Sequence, residues 1–313
     1  QGEPCLAGRA LGGRGPDAEP CAATLDRWQV PPQAPPPAGP RPRQQAIVGR
    51  VWELSQDAAG CREVQRALEE SADDEARALL ALELRGRVLE ALWCPHANHV
   101  VQRCIETLRP AAAQFIVEEL TAREGAVARA ARHKYGCRIV QRLVEHCPPE
   151  QVGCLVEMLL ADAVAISRHP YGNYVMQTLL EHGTDAQKRR LATVLERNAL
   201  TVGRDSYGCA VISAAMHQAG PAEQRSLARV LAQEHGLLHF LAQARHGHLA
   251  VRLVLQVLDG EELAAVRSRL LTELPSLRAS RYGRVVVAFL EASNGGAGAV
   301  TGGCFVPGAA GGA

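Results

Sequence analysis

Four short constellations carry the residues best suited to chemistry: Cys61, Arg62 and Gln65; Asn98, His99 and Gln102; Cys137, Arg138 and Gln141; Asn173, Tyr174 and Gln177. Each has the form polar–planar–x–x–Gln. The second member is always a flat group, Arg, His or Tyr. The first is small or an amide, and the last is always an amide. Residues i and i+4 share a helix face, and i+1 lies about 100° round, close enough to flank it. On a helix, the three therefore offer a planar surface beside a donor–acceptor pair. Flat groups spaced at intervals can sandwich nucleobases while amides read base edges. Single-stranded RNA exposes both features, whereas duplex RNA hides them. Asn with Gln matches the acceptor–donor–acceptor edge of uracil. Cys in first place leaves room for a purine, and Gln supplies a donor and an acceptor to adenine.

The elements that must position these trios recur. Aligning on the residue after "YG" or its equivalent gives anchors at Cys61, Asn98, Cys137, Asn173, Cys209, His248 and Arg284, at intervals of 37, 39, 36, 36, 39 and 36 residues. That period predicts a solenoid. A unit of this size holds two or three helices and cannot bury its apolar face alone, so neighbours must stack. The anchor helix is apolar at Ile139, Val140, Leu143 and Val144, a single buried stripe, with Cys137, Arg138 and Gln141 expected off it. Helix starts are marked by capping boxes at Thr184 with Gln187 and at Asp259 with Glu262. β-branched alternation is scarce, and no strands are expected.

The last anchors break the trio pattern. The fifth unit offers Cys209, Ala210 and Ser213, and the sixth His248, Leu249 and Arg252. Neither is expected to read bases; both serve as spacing. Tyr135, Tyr171, Tyr207 and Tyr282 are expected to pack between units rather than touch bases. His133, His146, His169 and His182 recur with the period beside Cys137 and Cys147. They lack HxxxH or CxxC spacing on one helix, so no metal site is expected. No catalytic constellation, phosphate loop or paired carboxylate stands out, and no cofactor is implied.

The 313 residues contain 34 Lys and Arg against 33 Asp and Glu, so any basic surface must come from local arrangement. Arg103, Arg132, Lys134, Arg142, Arg168, Arg204, Arg245 and Arg281 lie just before or inside the anchor helices. They are expected to gather on the trio-bearing side. Arg103, Lys134, Arg142 and Arg252 are the candidates for backbone phosphates. The ten cysteines fall mostly in apolar helical stretches, which favours free thiols and a reducing compartment over disulfides. No run of 18 apolar residues suggests a membrane span. Residues 1–43, with "PPQAPPPAGPRPR", and 294–313 are rich in Gly, Pro and Ala and read as disordered. Residues 44–293 form the expected repeat domain.

In these motifs the chain resembles the Pumilio/PUF family, most closely from "ELRGRVLEALWCPHANHVVQRCIE" through "HPYGNYVMQTLLEHG". The resemblance implies an all-α superhelix, a right-handed α-α solenoid of about seven repeats, with "LRASRYGRVVVAFLEA" as the capping half-repeat. It implies that Cys-Arg-x-x-Gln reads adenine and Asn-His/Tyr-x-x-Gln reads uracil, one base per repeat. The strand would run antiparallel, giving 5′-UAUA-3′ from Asn173 back to Cys61. The guanine reader, Ser-Asn-x-x-Glu, expected next is absent at Cys209, Ala210 and Ser213. The chain begins with Gln, and two N-terminal repeats are expected to be missing from it. Control of mRNA stability or translation through 3′ untranslated regions is the implied role. The implied setting is a cytoplasmic monomer, with protein effectors on the convex face. Two alternatives are a nucleolar ribosome-biogenesis relative with relaxed specificity and a helical protein-binding scaffold.

Overall fold

The computed structural model describes residues 46–71 and 73–293. The terminal segments read as disordered lie outside these residues. Among the described residues there are helices and no strands, and no helix is long and apolar enough to cross a membrane. The fold is the expected all-α superhelical array.

Each repeat is built from a short leading helix, an anchor helix and an outer helix. The anchor helices are Gly60–Glu70, Ala97–Thr107, Gly136–His146, Gly172–His182, Gly208–Gln218, Gly247–Val257 and Arg281–Ala292. Each contacts the next, so they form one unbroken row. The outer helices Pro110–Thr121, Pro149–Ala161, Asp185–Arg197 and Pro221–Gln233 contact one another in a second row. Leu274–Ala279 and Arg281–Ala292 close the array as a half-repeat without an outer helix among the described residues.

The sequence explains where these helices start. Pro occupies the first turn of three outer helices, where its missing N–H costs nothing. Thr184 forms the expected capping box with Gln187. Asp259 does not: it precedes Gly260–Thr272 in extended geometry, but its carboxylate makes no cap bond. It pairs with Arg225 at 3.4 Å instead, and Glu262 pairs with Arg229 at 2.8 Å. Both carboxylates are drawn to arginines of the preceding outer helix.

The core runs along the array between the two rows. Ile139, Val140 and Leu143 are fully buried, as are Val175, Met176 and Leu179 one repeat on. Each such side chain contributes about 1.5–3 kcal/mol of burial.

The leading and anchor helices meet backbone to backbone. A Cβ on Gly60, Gly136, Gly172, Gly208, Gly247 or Gly283 would lie closer than 3.0 Å to the carbonyl oxygen six residues earlier, on Leu54, Ala130, Ile166, Val202, Leu241 and Leu277. This is the physical content of the recurring "YG". The second repeat has Ala97 in this place, and there the leading helix, Val88–Ala91, is cut to one turn.

Two alanine substitutions separate this crossing from ordinary helix propensity. Gly208→Ala should destabilise the array by about 1–3 kcal/mol, because Val202 cannot retreat without moving its helix. Gly153→Ala, inside Pro149–Ala161 with open space around it, should stabilise by about 0.5–1 kcal/mol. Urea unfolding of both variants reads the opposite signs.

Candidate nucleic-acid interface

The anchor helices place the four trios in a row, one per repeat, as the period requires. Within each trio the three side chains do not stand equally outward. The first members are buried: Cys61 is 4 % exposed, Asn98 1 %, Cys137 2 % and Asn173 3 %. This corrects the expectation that they lie off the apolar stripe. They sit at its margin because the first turn of the anchor helix is pressed against the leading helix. The second members, Arg62, His99, Arg138 and Tyr174, are exposed. Gln65, Gln102 and Gln177 are half-buried, and Gln141 is buried.

The buried first member sets the posture of the glutamine. Asn98 donates from Nδ2 to the Cys94 carbonyl at 2.8 Å, which turns its Oδ1 toward Gln102, whose Nε2 donates to it at 2.9 Å. Asn173 does the same with the His169 and Pro170 carbonyls and with Gln177, again at 2.9 Å. Where Cys stands first, the glutamine Nε2 falls back onto the helix. Gln65 donates to the Cys61 carbonyl at 3.1 Å and Gln141 to the Cys137 carbonyl at 3.0 Å. The two trio types therefore hold one amide in two ways. Among the described residues, no donor reaches the Oε1 of these four glutamines, so each keeps an open acceptor.

Burial pushes the Cys61 and Cys137 thiols above their usual pKa. Both are neutral at pH 7, as are the deeper Cys104, pushed up to about 12, and Cys147, up to about 11. All seven cysteines among the described residues are free. Burial, then the neighbouring His96, lowers the pKa of His99. Its ring is uncharged at neutral pH.

The fifth and sixth repeats differ in kind. Ala210 is buried, and the Ser213 hydroxyl donates to the His246 carbonyl of the next repeat at 2.7 Å. The third trio position is here a bond between repeats, and a glutamate placed at 213 would bury a carboxylate and lose that bond. In the sixth, His248 stacks on Tyr282 with ring centres 5.2 Å apart, while Leu249 is exposed.

The expected phosphate contacts need correction at two positions. Arg103 pairs with Glu69 at 3.0 Å and Glu106 at 2.8 Å, and Arg142 with Glu106 at 2.9 Å and Glu145 at 2.5 Å. These five residues make one alternating ladder across three anchor helices, so neither arginine is a free cation. Arg252 lies over the Phe289 ring at 5.1 Å. Lys134 is exposed and sits over Tyr135 at 5.0 Å, with no carboxylate partner among the described residues. Arg132 and Arg168 are likewise neutralised, by Asp162 at 3.1 Å and Asp205 at 3.6 Å.

The tyrosines divide. Tyr282 packs between repeats as expected, whereas Tyr171 and Tyr207 are 38 % and 42 % exposed. The recurring histidines have a structural use that the sequence reading missed. Four residues before three of the anchors, Asp or His caps the anchor helix. Asp57 accepts from Ala59 and Gly60, and Asp205 from Tyr207 and Gly208, all at 2.8–2.9 Å. His169 Nδ1 accepts from Tyr171 at 3.2 Å. His133 Nδ1 lies nearer the Leu92 carbonyl of the preceding repeat, at 3.1 Å, than the amides of Tyr135 and Gly136 at 3.3 Å, and is placed to donate there instead. The signal was the shared position of Asp and His, one helical turn ahead of the anchor. His146 and His182 end their helices beside Glu145 and Glu181. Among the described residues no group of three or more His, Cys, Asp or Glu is placed to hold a metal.

Stacked three-helix repeats, four of which expose a planar group beside an oriented amide, define a helical-repeat solenoid. The sequence profile of the Pumilio-family RNA binding repeat matches residues 50–85, 94–121, 127–160 and 162–195. These four stretches are similar to the Pumilio-family repeat, and they are the four that hold complete trios. Pumilio homolog 9 of Arabidopsis thaliana is 31 % identical over 111 residues, covering 36 % of this chain and 20 % of that protein. Pumilio homolog 1 of Xenopus laevis is 30 % identical over 105 residues, 34 % of this chain and 8 % of that one. The match thus spans a fifth or less of these relatives' length. Among solved structures, PUF-8 in complex with PBE-RNA superposes with a TM-score of 0.71 at 25 % identity, covering 79 % of this chain and 73 % of that chain. The Puf3 RNA binding domain bound to a Cox17 RNA 3′ UTR site has a TM-score of 0.68 at 21 % identity, covering 79 % and 75 %, and shares the fold.

The histidine cap predicts a pH dependence. Burial, then the charge of Arg132, holds the His169 pKa below its ordinary value. The unfolded chain therefore binds more protons as pH falls below about 6.5. The cap's contribution is present above that pH and is lost below it. Unfolding free energy measured from pH 8 to pH 5 should fall with acid. His169→Asn, which keeps an acceptor without an ionisable ring, should flatten the decline. His169→Ala should cost about 0.5–2 kcal/mol even at pH 8.

Proposed function

We propose that this protein binds single-stranded RNA sequence-selectively, reading 5′-UAUA-3′ with the trios from Asn173 back to Cys61. The observation that carries this reading is the alternation of two amide postures behind four exposed planar groups, one per repeat. In the asparagine trios, Gln102 and Gln177 are pinned by a side-chain oxygen at 2.9 Å, with a longer second contact from Gln177 to the Asn173 carbonyl at 3.3 Å; in the cysteine trios, Gln65 and Gln141 are pinned by a backbone carbonyl. A protein-binding scaffold has no use for that alternation. An amide with one N–H held still offers an N–H and an oxygen. It can pair with the N1 and N6 of adenine or the N3 and a carbonyl of uracil, and the first residue decides which base fits between. His99, Arg138 and Tyr174 then stack between successive bases, each worth about 1–3 kcal/mol.

The solved neighbours bound to RNA support the choice of ligand. On this reading, the chain acts as a binding protein rather than an enzyme. It recognises UGUANA- or UAUA-like elements in mRNA 3′ untranslated regions and controls message stability or translation in the cytoplasm, as a monomer with effectors on its outer row. A nucleolar role with relaxed specificity is the second reading. The Ser213 bond and the His248–Tyr282 stack favour it, because they remove two readers from the array.

Selection from a random RNA pool should enrich UAUA, with no preference for the base immediately 5′ of it. Equal retention of scrambled RNA would leave only electrostatic binding. In the double variant Cys137→Asn with Arg138→Tyr, Gln141 should move onto the new asparagine oxygen. Preference at the second base of UAUA should then shift from A to U, by about 1–3 kcal/mol if the contact resembles other bidentate readers. The other three positions should be unchanged in the same competition assay.

A further inference from the structure

In the four trio-bearing repeats, Arg103, Arg132, Arg142 and Arg168 are each held by a carboxylate of their own or an adjacent repeat, while Arg62, Arg66, Lys134 and Arg138 are exposed with no carboxylate partner among the described residues. Past the fifth repeat the trios end, but the unpaired cations continue. Arg245, Arg281 and Arg284 are exposed, and among the described residues none of them pairs with a carboxylate. Arg252 is partly buried over Phe289, with its Nε lacking any acceptor among the described residues. Arg278 is the exception, paired with Glu291 at 3.0 Å.

These cations converge. Arg245 precedes His246, and both Arg245 and His248 act on the His246 ring, which burial already keeps neutral. His248 stacks on Tyr282, and Arg281 lies over the same tyrosine at 5.7 Å. His248 and Arg252 stand one turn apart on one helix face, and Arg252 reaches Phe289 of the final helix. Arg245 and Arg281 hold the same register as Lys134, three residues before their anchors. The stretch is therefore continuous with the trio row. Its would-be trio offers no amide and no free planar group, since His248 is covered by Tyr282 and the next position is Leu249.

We propose that the sixth repeat and the closing half-repeat form an anionic-backbone clamp, built on Arg245, Arg252, Arg281 and Arg284. It grips the phosphates of the RNA that runs on past the Asn173 trio and is indifferent to base identity. This rests on the RNA reading above, under which that flank is the 5′ one. The clamp compensates for a short code: four bases supply the selectivity, and the flank supplies affinity that does not depend on sequence. The fifth anchor helix, Gly208–Gln218, carries no Lys or Arg, so the strand crosses it without being held.

The test compares three RNAs on the full chain: UAUA alone, UAUA with four or five extra nucleotides 5′, and UAUA with the same number 3′. The 5′ extension should tighten binding and the 3′ extension should not, with the gain equal for uridine, cytidine and adenosine flanks. With three phosphate contacts, one to each exposed arginine, at a slope of about 0.7 each, the gain should shrink by roughly twentyfold between 50 and 200 mM salt. In the exposed triple variant Arg245→Ala, Arg281→Ala and Arg284→Ala, the ratio of extended to core affinity should fall to about one. Arg252→Gln, which keeps a planar group over Phe289, should reduce it partly. A gain that survives the triple variant, follows base identity or appears on the 3′ side overturns the clamp while leaving the trio reading intact. Failure to bind any of the RNAs overturns both. Loss of the gain to a polyglutamate peptide but not to a phosphodiester oligomer would make the surface a protein-docking site and overturn the proposal as well.

Discussion

Everything in the array depends on one close approach: the residue just ahead of each anchor against the carbonyl six residues before it. No side chain fits there, so the leading and anchor helices meet at backbone distance. That contact fixes where the anchor helix begins, and therefore which residue is its second, third and sixth. It also brings the capping Asp or His to the free amides of the first turn, each cap worth about 0.5–2 kcal/mol. Because six of the seven anchors use the same crossing, the trios recur at the same depth without any contact between them. The Ala97 repeat keeps its phase by a different route, with a leading helix of a single turn.

The same pressure explains why the first trio residue is buried. It lies in the turn that faces the leading helix, so its side chain can satisfy only nearby carbonyls or the glutamine one turn on. Asparagine does both at once; cysteine fills the space and leaves the glutamine to the backbone. Buried polar groups are kept only when paired, and here pairing is what orients the amide. The posture of the outward amide is set from beneath, by a residue that scarcely reaches the surface.

Much of this was legible in the sequence. The 36–39-residue period gave the architecture, because a unit that cannot bury its own apolar stripe must stack. The exposed planar members were legible from the helix angle between Cys137 and Arg138. Other features turned on distances between repeats, which no single-helix pattern contains. Arg103 and Arg142 look like free cations along their own helix, and only stacking brings Glu69 and Glu106 to them. Asp259 has the spacing of a capping box but answers to Arg225 of the neighbouring repeat. Ser213 reads as a shortened base reader and is a bond to the His246 carbonyl. The histidines recur in step with the trios, but their use as caps appears only beside Asp57 and Asp205 in the same place.

The ladder Glu69–Arg103–Glu106–Arg142–Glu145 has a consequence for how such an array can be rearranged. Each exposed pair is worth at most about 1 kcal/mol, so its significance lies in order rather than strength. The first three repeats carry the same arginine–glutamate couple at the same two positions, with Arg66 ahead of Glu69. At this contact they are equivalent: permuting them would reorder the trios while every arginine–glutamate joint still found its opposite charge. The fourth repeat has Thr178 in the arginine's place, and moved inward it would leave a glutamate unanswered. The charge pattern thus acts as a grammar for shuffling, marking three modules as movable and the fourth as a terminator.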